Sequence, residues 1–393
     1  MVRVLDARIM STSPLLQDGR ALLDADRLIQ AGLADRRASY ELWFGRLPPH
    51  TGYLVAAGVE SLLETLRKPL LNGPGLEAAM RAGRFSPALG ARLARLSLTT
   101  DIDAVPDGTI VFAQTPVAVV EGPLLEAVLV GTLVLASFQE ATAIATRTAR
   151  LCVAAGADPV IDGASAHASS VAGALTVARA AHVGGASATT NVSAAATLGI
   201  PFRAIPRVDL GPLAPPRPSS SETWDDLPAE EVLELEGDDE EAMLLEAKRL
   251  GVEAEGWIAR GLAEFDLMKL PMRYELVALE QDGSWAPRRG SSSPDVIPGR
   301  KMVVRYSASG RAVADVVHLQ TERMLSPKTL GATTLTPLAR PVIRGGHTIE
   351  LPEAAPIGKE RALAGRRSLP SAVTHLRFPA PYRVELSPGL ERR

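Results

Sequence analysis

Three short segments of the chain hold the residue types that binding and catalysis need. In the first, Gly184 and Gly185 are followed by small and hydroxyl side chains as far as Thr190 and Asn191, just before a predicted helix. Free backbone N–H groups in front of a helix bind anions, so this segment predicts an anion cradle. The same residues also fit a turn between two helices with Thr190 or Asn191 as its N-cap. The sequence leaves both interpretations open.

The second segment is Glu236-Gly-Asp238, which follows the short apolar and acidic run 232–235. A carboxylate at the end of a barrel strand can hold a ribose hydroxyl or Mg²⁺, which makes Asp238 a candidate catalytic residue. A charged turn is the alternative interpretation.

The third feature is a set of arginines, Arg46, Arg147 and Arg150. Planar guanidinium groups suit phosphate or carboxylate ligands. The alternative is that these are ordinary surface and helix-end arginines.

Several classes of site are not predicted. The chain lacks the G-x-S-x-G, H-E-x-x-H, P-loop and C-x-x-C patterns. Its six histidines are scattered and Cys152 is its one cysteine, so we expect no metal site and no zinc. A net charge of −3 and an aromatic content of 4% argue against nucleic-acid binding.

The cysteine count and the lengths of the apolar runs also predict the compartment in which the protein resides. One cysteine fits a reducing compartment, and the N-terminus shows no apolar run of signal-peptide length. The most hydrophobic stretch, 127–139, is shorter than the ~20 residues that a spanning helix needs. We therefore expect a cytoplasmic protein with no membrane partner.

The elements that must position these residues follow an α/β pattern. Alternation of strand and helix signals over 159–205 predicts parallel strands joined by crossover helices. A Pro/Ser-rich loop at 210–221 and an acidic run at 222–241, with eleven Asp and Glu, interrupt the pattern. The acidic run fits a solvated surface, with a cation or partner site as the alternative. Helical spacing is found at 19–40, 55–68, 87–98, 123–150, 170–181, from about 192, and at 241–250, and strands are predicted at 160–162, 254–259, 274–280, 301–306 and 312–319.

A family resemblance runs through the chain. Ser39–Pro48 and Gly52–Gly58 resemble the N-terminal signature of nicotinate phosphoribosyltransferases. Ile144–Arg150 is similar to that family's Ala-Thr-Lys-Ala-Ala-Arg helix, and Ala178–Ala195 to its Gly-Gly…Thr-Ser-Asn-Val segment. Weaker likenesses follow in the same order at 121–125, 258–266, 274–277, 297–301, 341–346 and 381–387.

The resemblance implies an α/β sandwich formed by both ends of the chain around an irregular β/α barrel of the type II phosphoribosyltransferase kind, here shortened. It implies an N-terminal part over 1–120, a barrel over 121–270 and a C-terminal part over 271–393 that returns to the sandwich. It also implies transfer of a phosphoribosyl group from phosphoribosyl pyrophosphate (PRPP) to nicotinate in NAD biosynthesis, with Mg²⁺ required, ATP hydrolysis coupled, and a homodimer.

The site residues implied by the resemblance fall into two groups. Asp238 and His167 are expected to be catalytic. The residues expected to bind substrate are Arg46, Arg147, Asp162, Gly184, Gly185, Thr190 and Asn191.

Departures from the family pattern fall on its chemistry. The family's arginine pair after the first barrel strand lies over 162–168, where only His167 can supply positive charge, and only when protonated. The family's histidine associated with ATP coupling is Val208 here, and its early tyrosine has no match around Asp26. No Gly-Val-Gly-Thr loop lies between Asp266 and Tyr274. Two hypotheses therefore stand, an active phosphoribosyltransferase and a catalytically lapsed paralogue that binds a metabolite or a partner.

Overall fold

The computed structural model describes residues 13–71, 73–204, 232–235, 239–264, 270–288, 296–349 and 353–391. Asp238, Val208, the loop 210–221 and most of the acidic run lie outside these residues. Sequence predictions made for them stay predictions.

The described residues form helices and strands along the whole chain. The helices are α1 Gly19–Gln30, α2 Val59–Leu66, α3 Gly73–Gly83, α4 Pro87–Leu93, α5 Leu124–Ala155, α6 Val171–Gly184, α7 Val192–Leu198, α8 Glu240–Arg249, α9 Ala355–Ser368 and α10 Pro388–Glu391. The strands are β1 Arg37–Phe44, β2 Leu54–Val55, β3 Asp101–Ala104, β4 Ile110–Val111, β5 Pro116–Pro123, β6 Val160–Asp162, β7 Ala188–Thr189, β8 Val232–Leu235, β9 Gly256–Ala259, β10 Met272–Gln281, β11 Ser284–Pro287, β12 Lys301–Ala308, β13 Arg311–Leu319, β14 Thr334–Pro337, β15 Arg340–Arg344, β16 His347–Thr348 and β17 Val384–Leu386.

A seven-stranded antiparallel sheet joins early and late parts of the chain. Its order is β11-β10-β1-β5-β3-β15-β16, so β1 lies between β5 and β10. A second sheet, β14-β12-β13-β17, is built from the C-terminal third and is antiparallel except where β13 pairs with β17. Early and late parts of the chain therefore meet in one sheet.

A four-stranded parallel sheet, β7-β6-β9-β8, is the β/α part of the molecule. Chain segments β6, α6, β7 and α7 follow one another, which confirms the predicted crossover pattern. Within the described residues these four strands form an open sheet and not the closed barrel that the resemblance implies. The fold is thus confirmed as mixed α/β, and the closed barrel is not seen.

Helix α5 is the central element of the fold. Its 32 residues are mostly buried, and it packs against α6, α8 and α1. Threonines on α5 also reach β2 and the residues after it: Thr146 accepts a hydrogen bond from Val55 N at 3.0 Å, and Thr142 accepts one from Ala57 N at 3.2 Å. Among the described helices α5 alone is long and apolar enough to cross a membrane, and 61% of its most apolar window is buried inside the protein. Most of this window therefore packs against other parts of the protein.

One helix prediction needs correction. The helical spacing at 19–40 is helix only as far as Gln30, and residues 37–40 belong to β1. Gly32, with φ of 68°, lies just after the end of α1. Strand pairing with β5 and β10, which lie far along the chain, then overrides the local helical pattern.

Candidate active site

The parallel sheet brings polar residues together at the carboxyl ends of its strands. Strands β6, β7, β8 and β9 run in the same direction and end at Asp162, Thr189, Leu235 and Ala259. Ligand sites in open α/β sheets lie outside this edge, because the loops that follow the strands converge there. We call it the carboxyl edge.

Asp162 ties two of these strands together. Its side chain is fully buried. One carboxylate oxygen accepts a hydrogen bond from Ala164 N at 3.0 Å, and the other accepts one from the Thr189 hydroxyl at 2.6 Å. Burial raises the pKa of Asp162, while these two hydrogen bonds act in the opposite direction. Both oxygens are engaged within the protein, so the geometry gives Asp162 a positioning role.

Asn191 caps the short helix α7. Its Oδ1 accepts a hydrogen bond from Ala194 N at 3.0 Å, and its own N–H donates to the Thr189 hydroxyl at 3.0 Å. Thr190 N donates to the carbonyl of Asp162 at 2.8 Å. Of the two residues that the sequence offered as N-cap, the structure selects Asn191. Both residues lie at the carboxyl edge.

The structure places Gly184 and Gly185 elsewhere. They lie where α6 ends and the chain turns toward the amino end of β7, on the side opposite the carboxyl edge. A Cβ on Gly184 would be 2.3 Å from the carbonyl oxygen of Ala145 on α5. Gly185 has φ of 129° and caps α6. Close packing of α6 on α5 and the turn that ends α6 account for these glycines.

Arg147 reaches the carboxyl edge from α5. Its guanidinium donates a hydrogen bond to the carbonyl of Glu264 at 2.8 Å and lies 3.3 Å from the carboxylate of Glu240. Glu240 is fully buried at the start of α8, and it accepts a hydrogen bond from Gly261 N at 2.6 Å. Burial raises the pKa of Glu240, and the Gly261 N–H and Arg147 oppose that rise.

His167 is held between a cation and a carboxylate. Its Nδ1 lies 3.1 Å from Glu264 Oε1, and its Nε2 lies 3.3 Å from a guanidinium nitrogen of Arg260. Arg260 also contacts the carboxylate of Glu234 at 3.2 Å. A guanidinium can only donate, so Nε2 is the acceptor and Nδ1 carries the proton. We assign this neutral tautomer from the partners of the two nitrogens.

The positive charge beside His167 therefore comes from Arg260, a residue that the sequence reasoning did not select. Arg260 is 7% exposed and directly follows β9, the strand paired with β6. The sequence signal was present, because an arginine directly after a predicted buried strand lies at the edge where sites form. Glu240 and Glu264 were missed in the same way, since only the folded sheet brings them to Arg147 and His167.

Arg46 and Arg150 differ in their surroundings. Arg46 is exposed, two residues after β1, and makes no hydrogen bond or ion pair with a residue that the structure describes. Arg150 forms a two-point ion pair with Glu241, at 2.7 Å for both bonds, and also donates to the carbonyls of Leu376, at 3.0 Å, and His50. Arg150 thus connects the loop after β1 to α5.

An open cavity of about 350 Å³ adjoins the carboxyl edge. Its described lining includes Ser165, Ser170, Asn191 and Ser193, and it contains no aromatic side chain. In the described part of the chain, no group of three or more His, Cys, Asp or Glu residues could hold a metal ion.

Comparison with known proteins relates this chain to one group of enzymes. No family model matches it. Two nicotinate phosphoribosyltransferases of Mycobacterium tuberculosis are 34% and 35% identical to it over 177 and 187 residues, which is 44% and 48% of this chain. A human nicotinate phosphoribosyltransferase is 30% identical over 192 residues. The matched segments span 38%, 41% and 36% of these relatives' own lengths, well under half of each.

Structural similarity extends over nearly the whole chain. The crystal structure of human nicotinic acid phosphoribosyltransferase aligns with 96% of this chain and 98% of its own, with a TM-score of 0.75 and 20% identity. A nicotinate-nucleotide pyrophosphorylase of Pyrococcus furiosus aligns with 94% of the chain, with a TM-score of 0.63 and 16% identity. The chain is therefore similar in sequence to nicotinate phosphoribosyltransferases over less than half of its length, and it shares the fold of the human enzyme.

Proposed function

We propose that this protein transfers a phosphoribosyl group from PRPP to nicotinate or a related aromatic acid, in NAD biosynthesis. The observation that carries the proposal is the 34–35% identity to two nicotinate phosphoribosyltransferases, together with a shared fold over 96% of the chain. We place the reaction at the carboxyl edge, where Arg147, Arg260 and His167 lie beside the ends of the parallel strands.

In this proposal Arg147 and Arg260 bind the anionic groups of the substrates. Each arginine already faces a carboxylate, Glu240 for Arg147 and Glu234 for Arg260. An incoming phosphate or carboxylate must therefore share the guanidinium with that glutamate or displace it. Two-point contacts with anions are the strongest that a guanidinium makes, so a substrate phosphate or carboxylate can compete with the glutamate for each arginine. Arg46 and Asp238 stay candidates for the same site.

Magnesium enters this proposal with the substrate. The glutamates described at the carboxyl edge face Arg147, Arg260 or His167, and Asp162 is fully hydrogen-bonded. Mg²⁺ is commonly held by substrate phosphates and water with only one or two protein carboxylates. We therefore propose that PRPP carries Mg²⁺ into the site, and we assign no protein ligand to it. ATP coupling is proposed on the family resemblance alone.

We further propose a cytoplasmic homodimer with an irregular β/α barrel completed around the four parallel strands. Apolar side chains at the carboxyl edge support a partner: Val171 is 91% exposed, Val192 66% and Phe202 40%. A second copy of the chain that covers this face would remove them from water and enclose the site.

The binding step is tested by calorimetric titration of PRPP with Mg²⁺ into wild-type protein and into Arg147→Gln. We expect saturable binding that the variant weakens by about tenfold or more, as expected when charged hydrogen bonds of ~1.5–3 kcal/mol are lost. Arg95→Gln, an exposed arginine outside the site, is the matched control and should bind as the wild type does. Absence of heat and of any thermal shift with wild-type protein would overturn the proposal.

A further inference from the structure

A second cavity lies on the side of the parallel sheet opposite the carboxyl edge. Unlike the first, it is lined by positively charged residues. It has a volume of about 420 Å³ and opens to solvent between the C-terminal ends of α5 and α9 and the β12–β13 hairpin. Helix α5 leads into the amino end of β6, which places this cavity at the amino ends of the strands. Its polar lining consists of Arg311, Arg366, Arg367, Ser371 and Thr374, and none of the residues that line it is acidic or aromatic.

The three arginines of this cavity have no carboxylate partner among the described residues. Arg366 donates a hydrogen bond to the carbonyl of Ala149 at 3.2 Å, which fixes its guanidinium against α5. Arg311 and Arg367 are exposed and make no ion pair with a described residue. Arg305, only six residues before Arg311, shows the contrast, because it forms a two-point pair with Asp315 at 2.8 and 2.7 Å.

The positive field also acts on a neighbouring thiol. Burial raises the pKa of Cys152 to about 11, and Arg366 and Lys359 oppose that rise through their charge. Cys152 lines the cavity. Arg366 and Cys152 therefore line the same cavity and interact electrostatically.

Helix-end charge alone does not account for this cluster. Arg366 and Arg367 lie in the last turn of α9, where cations stabilise the negative end of a helix. Arg311 is the first residue of β13, in the β12–β13 hairpin, so a helix dipole does not account for its position. Two helix ends contribute about half a negative charge each, against three full positive charges, so the cavity keeps a positive balance.

We propose that this cavity binds a compact polyvalent phosphate anion, of which inorganic pyrophosphate is the representative. Guanidinium groups match the oxygens of phosphate in two-point contacts, and the hydroxyl of Ser371 adds a donor. The Thr374 hydroxyl already donates to the carbonyl of Ser371 at 3.0 Å. The lining offers no aromatic ring on which a nucleobase could stack, which favours an anion without a base. The volume falls within the ~300–1,000 Å³ of small-molecule sites. The proposal does not depend on the proposed function.

Calorimetric titration of magnesium-free pyrophosphate tests this site. We expect saturable binding in wild-type protein that Arg311→Gln combined with Arg367→Gln weakens by about tenfold or more, as loss of charged hydrogen bonds predicts. Arg95→Gln should leave binding unchanged. Arg147→Gln removes an arginine of the anion site proposed at the carboxyl edge, so pyrophosphate binding that remains in this variant reports the second cavity. Absence of saturable binding in Arg147→Gln, or binding in Arg147→Gln that the added Arg311→Gln and Arg367→Gln leave intact, would overturn the proposal.

A second measurement uses the wild-type chain and so does not depend on the folding of a variant. Phenylglyoxal modifies accessible arginines, and peptide mass spectrometry reports each site separately. Pyrophosphate should slow modification of Arg311 and Arg367 and leave Arg95 unaffected. Inorganic phosphate should protect less at equal concentration, because it carries less charge. Equal modification rates with and without pyrophosphate at all three arginines would contradict the assignment.

Discussion

At the scale of single residues, the charge at the carboxyl edge is set by partners that are distant in sequence. Arg260 donates to Nε2 of His167, and Glu264 accepts from Nδ1, so the ring is held in one neutral tautomer. The cation that the family places after its first barrel strand is missing from 162–168, and Arg260 supplies one from the neighbouring strand. The charge is thus delivered to the same edge by another element.

Replacement of Arg260 tests this arrangement directly. In Arg260→Met, Nε2 of His167 loses its donor, so we expect the single tautomer to give way to a mixture. Nitrogen-15 NMR of the imidazole, with ¹⁵N-histidine labelling, distinguishes the two states. Circular dichroism checks that the variant is folded, because Glu234 loses its ion pair. An unchanged tautomer in the variant would show that Arg260 does not control it, and Arg95→Met serves as the control.

Glu60 provides a pH-dependent test of burial. It is 2% exposed, one oxygen accepts a hydrogen bond from Glu353 N at 2.9 Å, and the other has no hydrogen-bond partner among the described residues. Burial raises its pKa from 4.5 to about 7. The folded state therefore holds this proton more tightly than the unfolded state. The contribution of Glu60 to the free energy of unfolding is therefore fully present below pH 4.5, and it is lost as the pH rises through 7.

We expect Glu60→Gln to be more stable than the wild type at pH 8, by on the order of 3 kcal/mol, since the pKa is raised from 4.5 to about 7 and each pKa unit corresponds to ~1.4 kcal/mol. Near pH 4 the gain should vanish. Urea unfolding at both pH values measures it. Glu64→Gln replaces a half-exposed glutamate one turn further along the same helix and should show no such pH-dependent gain. A gain of equal size at pH 4 and pH 8 would refute the role of ionisation.

At the scale of elements, local pattern predicts the β/α part well. The spacing predicts a long helix over 123–150 and a strand over 160–162, and the structure has Leu124–Ala155 and Val160–Asp162. Helix α7 begins at Val192, as predicted. These elements follow one another in the chain, so their order and hydrophobic periodicity carry the information. By contrast, the helical spacing at 19–40 wrongly includes residues 37–40, the first half of β1, because the strand partners β5 and β10 are distant in sequence.

The site was harder to predict for the same reason. Asp162, Thr190 and Asn191 follow their own strands and were selected. Arg260 and Glu240 matter only because β9 lies beside β6, and β8 beside β9, in the parallel sheet. No single-sequence pattern gives that strand order. Gly184 and Gly185 show the opposite case, in which a suggestive motif is explained by packing of α6 on α5.

The close contact of α6 with α5 at Gly184 can be tested by substitution. In Gly184→Ala the new Cβ would meet the carbonyl oxygen of Ala145 at 2.3 Å, so α6 must shift away from α5. We expect a loss of ~1–3 kcal/mol in unfolding free energy, the usual cost of overpacking. Gly173→Ala on the same helix meets only serine hydroxyls at 3.2 Å, and should be neutral or slightly stabilising. Equal stability of both variants in urea unfolding would show that the helix contact does not require glycine.

At the scale of the whole molecule, the apolar residues at the carboxyl edge bear on assembly. Val171 and Val192 begin α6 and α7 and are largely exposed, and we propose that a second copy covers them. Val171→Asp combined with Val192→Asp should then convert a dimer into a monomer in light scattering coupled to size exclusion. Leu23→Asp, on the exposed face of α1, should not. A wild-type protein that is monomeric at micromolar concentration would contradict the proposal.

The fold of the chain matches human nicotinic acid phosphoribosyltransferase over 96% of its length, while curated sequence relatives match under half of it. The arginines that the family resemblance implies after β6 are absent from 162–168. Arg147, which the resemblance also implies, and Arg260, which follows β9, bring guanidinium groups to the carboxyl edge. The central claim is that this altered edge still supports phosphoribosyl transfer.

The most direct test is turnover of nicotinate and PRPP with Mg²⁺ by purified protein, with the mononucleotide detected by mass spectrometry and with and without ATP. The account predicts product with wild-type protein and with Arg95→Gln, and a loss of at least about a hundredfold in Arg147→Gln, since a group that binds the reacting anions also acts in the transition state. No product from wild-type protein under any of these conditions would contradict it and leave a lapsed paralogue on the same fold.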